Sequence, residues 1–210
     1  MKERPILFSA PMVRALLDGS KTQTRRVVKQ LDPAMGACTT GNDGLPMPVC
    51  WAYGGPVLHC PYGKPGDSIW VRETWYCDHF EVQKGPYLEV PEAHELLVYR
   101  ADNERPYEAE QPVWRPSIHM PRWASRILLE IVSVRVERLQ DISDADIVAE
   151  GIDMAALAES QDRFDIVCKG TGADGRATER TTWRDLWEST GGDWEANPWC
   201  WAITFKRVTP

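Results

Sequence analysis

Residues 31–66 hold seven glycines and six prolines, and no regular element runs through such a stretch. Long connections of this kind recur along the chain. Residues 78–94 are mixed and polar, 101–122 are rich in Pro and Arg, and 169–178 form a Gly-rich loop. The chain therefore reads as short framework segments separated by long insertions.

The framework segments carry clear periodicities. Ile6-Leu7-Phe8 signals a short strand. Ser9 is placed as an N-cap, and Met12, Leu16 and Leu17 then form a helical stripe ended by Gly19, which predicts a helix over about 10–18. Residues 19–28 read as a turn entering a strand. A further strand is expected over Ile69–Trp75 after the turn Pro65-Gly66-Asp67, and another over Leu96–Tyr99. Arg126–Leu139 is the longest β-branched run, long enough to bend or break in its middle. Ser143 opens a helix that runs to Glu150 and stops at Gly151. Residues 153–165 and 179–189 look helical, the latter with Trp183, Leu186 and Trp187 on one side. The chain closes with a strand at Trp199–Phe205.

Strands separated by long loops favour an α+β architecture, a small mixed β-barrel with short helices at its openings, over a doubly wound parallel sheet. The 210 residues are expected to form one domain with insertions at about 31–62, 78–122 and 152–196. No apolar run approaches the ~20 residues that a membrane span needs, and no signal peptide is visible, so the expectation is a cytoplasmic protein without membrane partners. The six cysteines are expected to remain thiols.

Charge is unevenly spread. The total is −7, which argues against a general nucleic-acid coat. Residues 1–30 nevertheless carry seven Lys/Arg against Glu3 and Asp18, and residues 139–165 carry eight acids against Arg163 alone. A local basic cleft for one nucleotide is compatible with that pattern.

Five groups of residues have chemistry to offer. In Gly19-x-Lys21-x-x-Thr24-x-Arg26, a buried Lys near a Thr would activate a hydroxyl nucleophile. On a regular strand positions 21 and 24 face opposite ways, so they converge only if Lys21 lies in the turn. The plain alternative is an exposed basic strand end. Glu150, in the last turn of its helix, is poorly placed for the helix dipole and, taken alone, reads as a solvated surface residue. Glu73 alternates with Ile69, Val71 and Trp75, so it should face the buried side and need a cation; Lys21, Arg25 or Arg26 would serve. Cys38, Cys50, His59 and Cys60 are metal-ligand types, but no CxxC pair nucleates a site, so no metal is assigned. Trp51, Tyr53, Tyr62, Trp70, Trp75, Trp114 and Trp123 interleave with Arg115, Arg122 and Arg126. That mixture suits stacking on a base, although most of the ten Trp are expected to fill the core. No GxGxxG or phosphate-binding loop is present, so no cofactor is assigned.

Together these stretches resemble the ASCH domain, a relative of the RNA-binding PUA domains. That family carries a G-x-K-x-x-[TE]-x-R signature after a short N-terminal helix, and Gly19, Lys21, Thr24 and Arg26 match it position for position. The Gly66-Asp67 turn, the Arg126–Leu139 strand, the acidic helix ending at Glu150 and the Trp199–Arg207 strand resemble its later elements. The stretches PGD, WVRETW and PRWASRI are similar to those of long ASCH proteins encoded in bacterial prophages. The resemblance implies a PUA-like barrel with helices beside a cleft. One ASCH branch is an amidohydrolase that removes the acetyl group of N4-acetylcytidine with a Lys, a Thr and a Glu. Carried over by motif, these are Lys21, Thr24 and Glu150, with Gly19, Arg26, Glu73 and Trp75 as substrate-contacting candidates. The implied partner is a modified nucleoside or RNA. The runner-up function is a non-catalytic module that binds RNA or modified nucleic acid, and a nuclease comes third.

Overall fold

The computed structural model describes residues 2–29, 58–79, 82, 89, 91–102, 113–168 and 175–208. The structure is α+β, with a mixed sheet and four α-helices among the described residues. Its residues fall into two compact units. The first comprises Met1–Gly19, Pro61–Val132 and Phe205–Pro210, and the second Ser20–Cys60 and Ser133–Thr204.

In the first unit β1 (Glu3–Leu7) runs parallel to β3 (Ser68–Arg72), with Glu3 opposite Ser68 and Leu7 opposite Arg72. β3 pairs antiparallel with the start of β6 (Leu128–Arg138). Helix α1 spans Ala10–Asp18, buries Val13, Ala15 and Leu16, and stops at Gly19, whose φ of +85° is left-handed. Ser9 occupies the expected cap position without a side-chain cap bond. The Pro65-Gly66-Asp67 turn is pinned by the Asp67 carboxylate. It accepts from the Lys2 and Lys64 backbone N–H groups, both at 3.3 Å, and from Arg4 Nη1 at 3.2 Å.

The single strand expected over 69–75 is two. β3 ends at Arg72, and β4 (Trp75–Cys77) starts after Glu73-Thr74 to pair antiparallel with β5 (Leu97–Tyr99). The break falls where the Glu73 carboxylate turns to a cation and its N–H meets Met120 Sδ at 3.3 Å, both off the β3 ladder. Trp75, Cys77, Val82, Met120 and Ala124 form a fully buried cluster beneath β4.

In the second unit β2 (Gln23–Val27) pairs antiparallel with β7 (Trp199–Val208), Gln23 opposite Thr204 and Val27 opposite Cys200. Helix α2 (Asp144–Ala149) is capped by Ser143, which accepts from Asp146 N at 3.2 Å. Helices α3 (Met154–Cys168) and α4 (Glu179–Ser189) follow. Thr178 and Thr181 close a reciprocal capping box on α4. Trp183 and Trp187 point from α4 into a core of Leu139, Ile142, Ile147, Ile152, Leu157, Trp194 and Cys200, with Leu186 partly buried against it.

β6 is one unbroken strand of 11 residues, and its two halves belong to different units, as do the two ends of β7. Among the described residues the strands close no barrel. β1 pairs with β3 alone and β2 with β7 alone, so each ends its ladder instead of joining a ring.

Candidate functional site

The Gly19–Arg26 segment reaches its position through the end of α2. Thr22 N–H donates to Ala149 O at 2.9 Å, which lays the turn before β2 against the last turn of that helix. Lys21 lies in this turn, two residues ahead of the strand, and its side chain is 2 % exposed. Its Nζ donates to Gln23 O at 2.9 Å, to Glu150 O at 2.7 Å and to Glu150 Oε2 at 3.0 Å. An ammonium has three protons, and these acceptors match them in number. Burial pushes the Lys21 pKa below its ordinary 10.5. The Glu150 carboxylate opposes the shift, and the charges of Arg26 and Arg25 add to it.

Glu150 is not the solvated residue that its place at a helix end suggests. Its side chain is 2 % exposed, because the helix terminates at Gly151 (φ +79°) and turns the carboxylate into the unit. There two cations share it: Lys21 holds Oε2, and Arg25 Nη1 donates to Oε1 at 3.0 Å.

Arg25 has a wholly buried side chain, and its guanidinium donates to four other side chains. Nη1 also donates to Gln23 Oε1 at 2.7 Å, Nε donates to Glu137 Oε1 at 2.8 Å, and Nη2 donates to the same Glu137 oxygen and to Asp146 Oδ2 at 3.1 Å. Arg135 braces the two outer acids, reaching Asp146 at 2.7 Å and Glu137 at 3.3 Å. Gln23 Nε2 completes the cluster with bonds to Asp146 Oδ1 at 3.1 Å and Thr204 Oγ1 at 3.2 Å. The cluster balances three cations with three carboxylates, which is what burial of so much charge requires.

Strand alternation sorts the motif residues. Gln23 and Arg25 project to the side that holds Glu150, while Thr24 and Arg26 occupy the alternate positions, opposite Ile203 and Trp201. Thr24 is 4 % exposed. The three acceptors of Lys21 Nζ do not include its hydroxyl. The structure thus brings Lys21 and Glu150 into contact and sets Thr24 one position along the strand from the face they share with Arg25.

Glu73 and Trp75 lie in the first unit, where Gly19 also ends α1. Glu73 is buried as its alternation suggests, at 1 % exposure, but its cation is none of Lys21, Arg25 and Arg26. Arg126 grips it through Nε to Oε1 at 3.0 Å and Nη2 to Oε2 at 3.1 Å. The same guanidinium donates twice to Asp102, both at 2.8 Å, and lies 4.0 Å over the Tyr99 ring. Burial pushes the Glu73 pKa up, and Arg126 opposes it. Trp75 is wholly buried, with Trp123 edge-on at 6.2 Å, so its ring is part of the core. Trp70 is likewise buried, under Arg72 at 4.7 Å and Arg122 at 5.9 Å.

Cys38, Cys50, Trp51 and Tyr53 lie outside the described residues. Among the described residues, His59 and Cys60 included, no three His, Cys, Asp or Glu side chains gather as a metal-binding group.

The sequence offers Arg25 only as a cation for Glu73, and it does not single out Glu137 or Asp146. Two signals were available: the alternation Lys21-Gln23-Arg25, and a glutamate inside the β-branched run of β6 facing an acid-rich helix. Comparison of the chain with protein-family models, with curated proteins and with solved structures gives no match.

Proposed function

We propose that the chain is an amidohydrolase that removes the acyl group of an N4-acylated cytidine, with Lys21, Thr24 and Glu150 as its reacting set, on a PUA-like ASCH framework. The family reading is supported by the order of elements: a strand, a short helix closed by Gly19, the Lys21 turn, the Thr24 strand, then a capped acidic helix ending in Glu150. The observation that carries the activity is the contact of buried Lys21 with Glu150 at 3.0 Å in the turn that leads into the Thr24 strand.

The chemistry runs as follows. Burial, with the neighbouring Arg25 and Arg26 charges, favours the uncharged form of Lys21, which gives its proton to solvent and enters the reaction as a neutral amine positioned by Glu150. Because Thr24 alternates to the other side of β2 from Gln23 and Arg25, the step requires the lysine tip to leave Glu150 and swing around the start of the strand before its lone pair meets the Thr24 hydroxyl. The amine takes the hydroxyl proton while Thr24 Oγ1 bonds to the acyl carbon. The C–N bond then breaks, the cytidine nitrogen leaves with that proton, and the acyl group remains on Thr24. Water attacks the ester, giving up one proton through Lys21, and releases the carboxylic acid and the Thr24 hydroxyl. Arg26 and the backbone N–H groups after Gly19 stabilise the oxyanion. The overall change is hydrolysis of one C–N bond.

The test is incubation of the purified protein with N4-acetylcytidine, following cytidine by chromatography, with Thr24→Ala and Lys21→Met alongside. Turnover by the wild type alone is the expected result, and undiminished turnover in either variant refutes the mechanism.

A second reading, binding of RNA without catalysis, is favoured by one feature of the first unit. Trp114 is half-buried, carries Arg100 over its ring at 5.5 Å and meets Tyr76 edge-on at 6.4 Å, a grouping suited to stacking a base beside a phosphate. Tight, steeply salt-dependent binding of single-stranded RNA without turnover favours this reading.

A further inference from the structure

We propose that Arg25, which lies outside the Gly19-Lys21-Thr24-Arg26 motif, is the positioning residue of this site: its guanidinium holds Oε1 of Glu150 so that Oε2 stays turned to Lys21, and this sharing sets how firmly the carboxylate keeps the proton of Lys21. The inference rests on the hydrolase reading and names a residue that the reading does not contain.

The geometry is that of one carboxylate divided between two cations. Lys21 Nζ and Arg25 Nη1 each sit 3.0 Å from a different Glu150 oxygen. A carboxylate so divided binds either partner less tightly than it would bind one alone, and Arg25 adds its own positive charge beside Lys21. Both effects ease the loss of a proton from Lys21, as a general base requires.

Arg25 cannot drift from this position. Its side chain has no exposure, and its fork reaches Glu150, Gln23, Glu137 and Asp146 together. Glu137 on β6 and Asp146 at the start of α2 are each partly exposed and each tied to Arg135. Five hydrogen-bonding N–H groups in a rigid plane make this pattern, and a lysine reproduces one arm of it at most. Among the described residues, the charged and titratable groups around Lys21 and Glu150 are Arg25 on the shared face of β2, Arg26 at the next position, Glu137 and Arg135 from β6, Asp146 from α2 and the Cys200 thiol from β7. Burial pushes that thiol up to about 12, so it stays uncharged.

The experiment follows the Lys21 side chain by NMR in the full chain, with lysines labelled at Cε. The titration midpoint is read in wild type, Arg25→Lys and Arg25→Gln. Arg25→Lys keeps the charge and most of the volume, so it decides the question even if the glutamine variant does not fold. The expected result is a rise of the Lys21 midpoint by about 0.5–1 pH unit in Arg25→Lys, a threefold to tenfold tighter hold on the proton, and at least as much in Arg25→Gln. A midpoint unmoved in a folded variant overturns the proposal, because a merely structural arginine would lower the melting temperature and leave the titration alone. The acidic limb of the N4-acetylcytidine pH–rate profile is expected to move up with the midpoint. A shifted midpoint in a protein without turnover refutes the hydrolase reading alone. An unmoved midpoint in a protein that turns over refutes the role of Arg25 alone.

Discussion

Removing Glu150 should cost far more stability than removing Lys21, although the two are partners in one ion pair. Glu150→Gln takes from Lys21, 2 % exposed, the carboxylate that faces it at 3.0 Å and leaves Gln23 O and Glu150's backbone carbonyl oxygen as neutral acceptors, while Arg25 keeps Glu137 and Asp146. An uncompensated buried charge of this kind costs about 3–5 kcal/mol. Lys21→Met leaves Glu150 still bonded to Arg25 at 3.0 Å. The methionine fills similar volume, and the loss is a donor to Gln23 O, Glu150 O and one carboxylate oxygen, about 1–2 kcal/mol. For a chain of this size each kcal/mol moves the melting temperature by about 2–4 °C, so the expected drops are about 6–20 °C and about 2–8 °C. Urea unfolding at neutral pH, followed by tryptophan fluorescence, gives the comparison directly. If Lys21→Met is as damaging as Glu150→Gln, Arg25 does not hold the second half of the carboxylate, and the shared-carboxylate geometry is wrong.

Four further outcomes are expected. The folded-state pKa of Lys21 lies below 10.5, so between its lowered value and 10.5 the unfolded chain holds the extra proton and stability rises with pH; the stability of wild type relative to Lys21→Met should grow as pH climbs toward 10.5, and a constant difference refutes this. Arg126→Met strands the Glu73 carboxylate at 1 % exposure and should cost about 3 kcal/mol in urea unfolding, whereas the double variant with Glu73→Gln should recover most of the loss. Gly192→Ala should destabilise by about 1–3 kcal/mol, because a Cβ there would stand 2.2 Å from Trp187 Nε1; an unchanged melting temperature would show that α4 shifts without cost. Iodoacetamide at mildly alkaline pH should modify half-buried Cys60 and Cys168 while Cys77 and Cys200, both buried and both with thiols pushed up, react only in urea; mass mapping of early labelling at Cys200 would contradict its burial.

Local signals in the sequence survived into the structure where chain-neighbouring residues decide the outcome. The stripe Met12, Leu16, Leu17 with Gly19 behind it defines α1 at 10–18, and Trp183 with Trp187 defines the buried side of α4. The alternation around Glu73 showed which way that side chain points, because pleat direction is a property of the strand alone. Its partner was not legible, since Arg126 lies 53 residues away and only tertiary folding brings it close. The burial of Glu150 was hidden for the same reason: a glutamate at a helix end is exposed by default, and two cations from β2 and its turn reverse that. Arg25 is legible as a cation in need of a carboxylate, but the strand alternation that groups 21, 23 and 25 does not reveal which one, because Glu150, Glu137 and Asp146 lie more than 100 residues away.

The way the two units divide the chain bears on biosynthesis. The first unit needs residues 1–19, 61–132 and the final segment from 205, and the second needs 20–60 and 133–204. Neither is a continuous stretch that a ribosome could release for folding on its own. β2 waits for its partner β7, which begins 172 residues later at Trp199, so the strand that follows the Lys21 turn is paired only once β7 has been made. The candidate site is therefore completed only after β7 has been synthesised. A nascent chain arrested before Trp199 should leave the basic N-terminal segment and the tryptophan-bearing α4 exposed to chaperones and proteases.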